Sequence, residues 1–441
     1  MIFPQNKSEN YFFLFLLFSI CIFAHFIPFE RAIISSDTFT FIGAKKNGLN
    51  NFLLSPDRPF EYIIHELEYF FLQYNFKLYF VYLLFSVFFL ISSIYFFFKL
   101  FFNSQISFLI TTLYLLLPYN LEIYHSSIFA WINVIDAMYI FSIIFFILFL
   151  KTNQKKYFFI SFLIYAICIL SRESGFFIPI IFIAYIYFVL KNKNLYYYLK
   201  TLSPYFILMI LNLIYRFTGG FFNTSNTGRE ILLSNIPYGL IDFFNIFFGR
   251  YLFKHIIYGL YQFMGFSFFI ILIFCLINLI IVFIFRTSLS GKKLPYLKKN
   301  YLTFFIFFIL ISLTPNVING SIGGRSTIIA SLGVCFILVY FINFFYTNYK
   351  KLTYLFIFLL LIISQGNSLA QVISLRIPNA IFEYTVENEK QINKYKNIII
   401  DTKSFAENIN YTLLNNKGFD KLKLNYNKFN ILNTYMGAQC F

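Results

Sequence analysis

Few side chains in this sequence can carry acid–base or ionic chemistry, so each charge set among apolar residues is informative. Only 12% of the 441 residues are charged, against about 25% in a typical soluble domain. Arg172 and Glu173 stand side by side in "ILSRESGFFIPIIF" (169–182), between two apolar runs. Asp136 interrupts "SSIFAWINVIDAMYIFSIIFFILFL" (126–150), and Asp37 lies in "ISSDTFTFI". Glu122 in "PYNLEIYHSS", Arg58 in "SPDRPF", Arg216 and Arg325 in "SIGGRSTIIASLG" complete the set. A carboxylate with a raised pKa is a general base. An arginine fork matches a phosphate and stabilises charge developing on a leaving group.

Each of these residues also has a purely structural reading. Arg172 and Glu173 can cap a helix at the interface, with the carboxylate favoured by the helix dipole. Asp37 can be an N-cap or turn residue, Asp136 a polar bond joining two helices, and Arg325 a snorkelling side chain. A carboxylate about two turns inside an apolar helix costs a few kcal/mol unless it is paired or faces water. That depth favours a site over a strut for Asp136.

The elements that must position these groups are membrane helices. The chain is 59% hydrophobic and 24% aromatic, and several stretches approach the roughly 20 apolar residues that cross a hydrocarbon core. The pattern predicts an all-α polytopic protein of about eleven transmembrane helices. They are expected at 11–29, 77–98, 105–118, 128–150, 157–170, 175–190, 203–215, 264–285, 301–314, 327–346 and 353–366. Pro179 falls early in the sixth, where it is expected to kink the helix.

The formal charge of +17 does not point to nucleic acid, because the basic residues sit in short loops between apolar runs. Alternate loops such as "KTNQKK" (151–156), "KNKNLYYYLK" (191–200) and "RTSLSGKKLPYLKKN" (286–300) hold roughly 15 basic residues in about 57 positions, against roughly 10 in about 121 on the other side. This bias predicts a cytoplasmic N-terminus. It places residues 30–76 and 216–263 outside as two long loops, together with the tail 367–441. The stretch from Phe60, with Glu61, His65, Glu66 and Glu68 interspersed, reads as an amphipathic helix on the membrane surface. In the tail, "NIIID" (397–401) reads as a strand and Ser404 as the start of a helix, suggesting a small α/β or irregular cap. The five cysteines and four histidines show no metal-ligand spacing. No nucleotide-binding or hydrolase motif occurs. External chemistry without a nucleotide site implies a substrate already activated, and a cleft at the membrane implies one carried on a lipid.

Four segments resemble the GT-C superfamily of polytopic glycosyltransferases, in particular the protein mannosyltransferase and aminoarabinose transferase branch with its bacterial relatives. "SDTFTFIGAKKNGLNNFLLSPDRPFEYII" looks like their first external loop, with an acid soon after helix one and an Arg-Pro further on. "LYLLLPYNLEIYHSSIFAWINVIDAMYIFSIIFFILFL" looks like the next helices. "ILSRESGFFIP" is similar to their L-[SA]-[KR]-E-[ST]-x-x-x-x-P segment, and "GGRSTIIASLGVCFIL" to a later one with an arginine opening a helix. The first acid is doubled in many relatives and stands alone here. Ser326 replaces an aromatic that often follows the later arginine.

The resemblance implies a catalytic domain over 1–366 in a bacterial inner membrane, with the site on the external face. The donor would be a polyprenyl-phosphate sugar and the acceptor an envelope glycan, lipid or protein. Asp37 would be the general base, Arg325 and Arg172 would bind the lipid phosphate, and Glu173 would orient Arg172. Asp136 would bind the acceptor or shape the cleft, with Arg58 and Glu122 also lining it. Some members use a divalent metal; the ligand set here is too thin to assign one. The rival classes are a lipid-linked oligosaccharide flippase or transporter, a polysaccharide polymerase or ligase, and a catalytically silent scaffold. A transporter should show intramembrane charges near the midplane and an internal repeat, and the sequence shows neither.

Overall fold

The computed structural model describes residues 7–26, 59–72, 76–116, 129–172, 175–191, 194–218, 236–247, 249–264, 268–289, 299–318, 328–349, 351–367 and three short strands. The chain begins with α1 (Lys7–Cys21), which runs on as a π turn over Ile22–Phe26. Then follow α2 (Pro59–Leu72), α3 (Phe76–Lys99), α4 (Ser104–Leu116), α5 (Phe129–Thr152) and α6 (Lys155–Ile169). Next come α7 (Ile178–Ala184), extended by a π segment over Tyr185–Leu190, and α8 (Leu195–Thr218). After these come α9 (Ile236–Phe247), α10 (Arg250–Met264), α11 (Phe268–Leu289), α12 (Lys299–Ile318) and α13 (Ile328–Asn348). A last helix, α14 (Lys351–Asn367), precedes β1 (Asn397–Asp401), β2 (Asn410–Leu414) and β3 (Leu422–Leu424). The strands form one antiparallel sheet in the order β1-β2-β3, with Ile399 opposite Thr412. The strand expected at 397–401 is β1, while the helix expected from Ser404 falls outside the described residues.

Each apolar stretch expected to span coincides with one of these helices. Among the described residues three are long and apolar enough to cross a membrane, Leu78–Lys99, Ala130–Thr152 and Tyr196–Tyr215. Seven more are apolar but shorter. The helices bury one continuous core and leave large apolar side chains such as Phe85, Phe159, Leu211, Phe269 and Phe283 on the outside. Such an exterior belongs in lipid, so this is a membrane protein.

Helix α5 is the axis of the first half. It packs on α3 and α6, while α4 lies against α1, α3 and α13. In lipid there is little hydrophobic gain between helices, so close packing and polar contacts hold them together. Ser142 Oγ donates to Ser161 O at 2.9 Å, Ser161 Oγ donates back to Ser142 O at 2.7 Å, and Tyr205 Oη donates to Ser161 Oγ at 2.8 Å. One serine pair thus joins α5, α6 and α8. Phe146 stacks on Phe182 at 3.9 Å between ring centres, fixing α7 against α5.

The two ends of the bundle differ. At one end Lys99 Nζ donates to Ser104 Oγ at 2.6 Å and Lys151 Nζ donates to Leu100 O at 2.8 Å. Lys99 thus closes the turn that joins α3 to α4, and Lys151 ties the end of α5 to a terminal carbonyl of that same turn. At the opposite end His25 Nε2 lies 2.8 Å from Leu115 O, linking α1 to α4.

Three expectations need correction. The loop expected at 191–200 is helical from Leu195, and Pro204 lies inside α8. Pro179 falls at the start of α7, where a missing N–H breaks no bond and the ring does not kink the helix. The segment 216–263 is not a loop throughout, since it contains α9 and α10.

Asn278 in α11 and Gln365 in α14 exchange two amide hydrogen bonds of 3.0 Å, both side chains buried. Asn278→Leu leaves one buried carboxamide unpaired and is expected to cost about 1–3 kcal/mol. The double variant with Gln365→Leu should recover most of that loss, as thermal unfolding in detergent would show.

Candidate functional site

Asp136 and Arg172 are brought together. The carboxylate sits two turns inside α5, and the guanidinium follows directly on the end of α6. Arg172 Nη1 donates to Asp136 Oδ2 at 3.0 Å, with the aspartate side chain 1% and the arginine 12% exposed. Asp136 is therefore buried and holds the arginine. Attraction between two such charges is strong away from water, and it offsets the desolvation of both.

The turn that carries Arg172 rests on Tyr139. Its hydroxyl lies 2.8 Å from Cys168 O and 2.5 Å from Arg172 O, so its single proton is shared between two carbonyls at the end of α6. The backbone N–H groups of Ser171 and Arg172 also donate to Cys168 O, each at 2.9 Å. Above the ring lies Gly175, where an added Cβ would fall 1.7 Å from Tyr139 Cε1. Glycine is required here because the chain passes directly over the aromatic face, not because of an unusual φ. On the other side, Asn133 Nδ2 donates to Ser86 Oγ of α3 at 3.3 Å.

Asn133, Asp136, Tyr139 and Ser142 are spaced by three residues along α5, a row that places polar groups along one ridge. Sequence reasoning picked out Asp136 from this row and missed the other three. The triplet spacing was the available signal. Phe60 N donates to Leu170 O at 3.4 Å, so the surface helix α2 begins beside the same turn.

The other sequence-derived candidates, Asp37, Arg58, Glu122, Glu173 and Arg325, lie outside the described residues. Among the described residues no three of His, Cys, Asp and Glu converge in a metal-binding group. What is described is one cation, fixed by a buried carboxylate and by its own backbone, at the end of the bundle opposite Lys99 and Lys151. Such a cation can hold an anionic group at the membrane surface. Compared with protein-family models, with curated proteins and with solved structures, the chain matches none.

Arg172→Met leaves the Asp136 carboxylate buried without its partner and is expected to lower stability by about 3–5 kcal/mol. Asp136→Leu combined with Arg172→Met should restore most of it, measured by thermal unfolding. Gly175→Ala should cost about 1–3 kcal/mol by overpacking against Tyr139, and Tyr139→Leu in the same chain should reduce that cost.

Proposed function

We propose that this protein is an inverting glycosyltransferase of the GT-C type, spanning a bacterial inner membrane about eleven times with its site on the external face. It would move a sugar from a polyprenyl-phosphate carrier to an envelope glycan, lipid or protein. The observation that supports this reading is the Asp136–Arg172 pair. A transferase that expels a lipid phosphate needs a fixed cation where the leaving group departs. The pair supplies one at the end of the bundle that the basic-loop asymmetry assigns to the outside.

The division of labour follows from the chemistry. Asp37 takes the proton from the acceptor hydroxyl as it attacks the anomeric carbon. The carbon–oxygen bond to the carrier phosphate breaks, and its electron pair leaves with the phosphate. Arg172, with Arg325, neutralises that charge. Asp136 is a positioning residue, since its carboxylate is spent on Arg172. Arg58, Glu122 and Glu173 are the candidates for contacts to sugar or acceptor. A divalent metal, where bound, would share the neutralisation of the phosphate.

The test is release of free polyprenyl phosphate by the purified protein in liposomes, over a panel of polyprenyl-phosphate sugars with an envelope extract as acceptor. Asp37→Asn is expected to lower turnover by about 10²–10⁴-fold, the range for loss of a general base. Transport of a lipid-linked glycan that is indifferent to Asp37→Asn would replace this reading with a flippase.

A further inference from the structure

Helices α9 and α10 are amphipathic in the inverted sense. Along α10 the exposed side chains are Phe253, Ile257, Leu260, Tyr261 and Met264, a stripe at helical spacing with Arg250 at its exposed start. Along α9 they are Tyr238, Leu240, Ile241 and Phe244. Of the polar residues of the pair, Asp242, Asn245, Lys254 and His255 are half-buried, so the most exposed positions are mainly apolar. A surface helix bathed in water shows the opposite arrangement, with its apolar stripe turned to the core.

Neither helix is free to roll and hide that stripe. Helix α9 packs on α10 and on α12. Helix α10 crosses α14 with the two backbones in contact. A Cβ on Gly366 would fall 1.7 Å from Gly259 O, and one on Gly259 would fall 2.5 Å from Ile363 O. Asn367 Nδ2 donates to His255 O at 2.9 Å across the same crossing, and Phe263 stacks on Phe274 of α11. The apolar surface is continuous with the membrane-facing skin of the bundle, because Met264 is followed by the exposed Phe268, Phe269 and Leu272 of α11.

We infer that α9 and α10 form an interfacial hairpin seated in the lipid leaflet, with their exposed apolar faces in the headgroup–acyl boundary. Continuity with the lipid-facing surface of α11 selects lipid as the occupant. Tyr238 and Tyr261 are amphipathic rings of the kind that settle at headgroup level, and the exposed Arg250 meets the phosphates. With 12 and 15 residues the two helices are about 18 and 22 Å long at 1.5 Å per residue. Each is too short to cross the roughly 30 Å hydrocarbon core, so the hairpin lies in one leaflet and leaves on the side it entered. The segment 216–263, expected as an external loop in water, then contributes a membrane-embedded wall beside α14 instead.

The test uses the full chain in phospholipid nanodiscs, with tryptophan introduced as Ile257→Trp and separately as Phe244→Trp. Trp131 is buried in the core, so wild type supplies the baseline. Quenching by lipids brominated high on the acyl chain is expected to exceed the baseline by about twofold or more, with little quenching by aqueous iodide, as suits a face roughly 5–10 Å below the headgroups. Quenching by iodide and not by brominated lipid would overturn the inference. So would protection from both, which would mean that a second copy of the chain covers the face. Hydrogen exchange over 236–264 of the wild type, compared between nanodiscs and a short-chain detergent, provides a readout that needs no variant. Protection that depends on the bilayer supports the inference, and exchange alike in both overturns it.

Discussion

A carboxylate placed two turns inside an apolar helix is costly unless it is paired or faces water, and the protein places one at Asp136. The arrangement around it follows from the need to offset that cost. Arg172 must reach Asp136, so α6 has to end level with it and its last turn has to be held. Tyr139 provides the hold, and Gly175 lets the chain cross the tyrosine ring. The same requirement fixes α5 against α6, and the serine contacts below continue the seam to α8. The buried ion pair thereby sets the register of α5 and α6, and the serine contacts extend it to α8.

Away from this pair the longer described helices, such as α3, α5, α11 and α12, carry their charges near their ends. At one end of the bundle Lys99 meets the Ser104 hydroxyl and Lys151 the Leu100 carbonyl, both at the turn between α3 and α4. Two described polar pairs deeper in the bundle are neutral and matched. Asn278 and Gln365 exchange two bonds, and Ser142 and Ser161 do the same. Neutral reciprocal pairs cost little to bury, whereas a lone charge must be met by another charge. The Asp136–Arg172 pair therefore stands out chemically, and an arginine held in this way is suited to meeting an anion.

Much of the fold was legible because apolar runs are local. Every expected span falls on a helix, and β1 lies where "NIIID" suggested a strand. The errors came where one signal stood for two structures. "LYYYLK" (195–200) looked like a basic loop, yet it forms the first turns of α8. Pro179 looked like a kink, but its effect depends on whether it falls in the first turn or later, a matter of one or two residues. In the site, Asp136 and Arg172 were legible as isolated charges. Tyr139 and Asn133 were not, because in a chain with 35 tyrosines one more among apolar residues carries no contrast.

The sequence by itself determined that this is a helical membrane protein, where its long apolar runs become helices, and which few charges interrupt them. These are properties of short windows of residue type, and the solvent preference of each window does not depend on the rest of the chain. Only the tertiary structure decided that Asp136 is bound to a residue 36 positions away, that Gly175 serves an aromatic ring on another helix, and that α10 turns its apolar face outward. Each of those depends on which helices are neighbours and at what height they cross. In lipid that choice is made by close backbone approach and by polar pairing between distant segments, which no local window records.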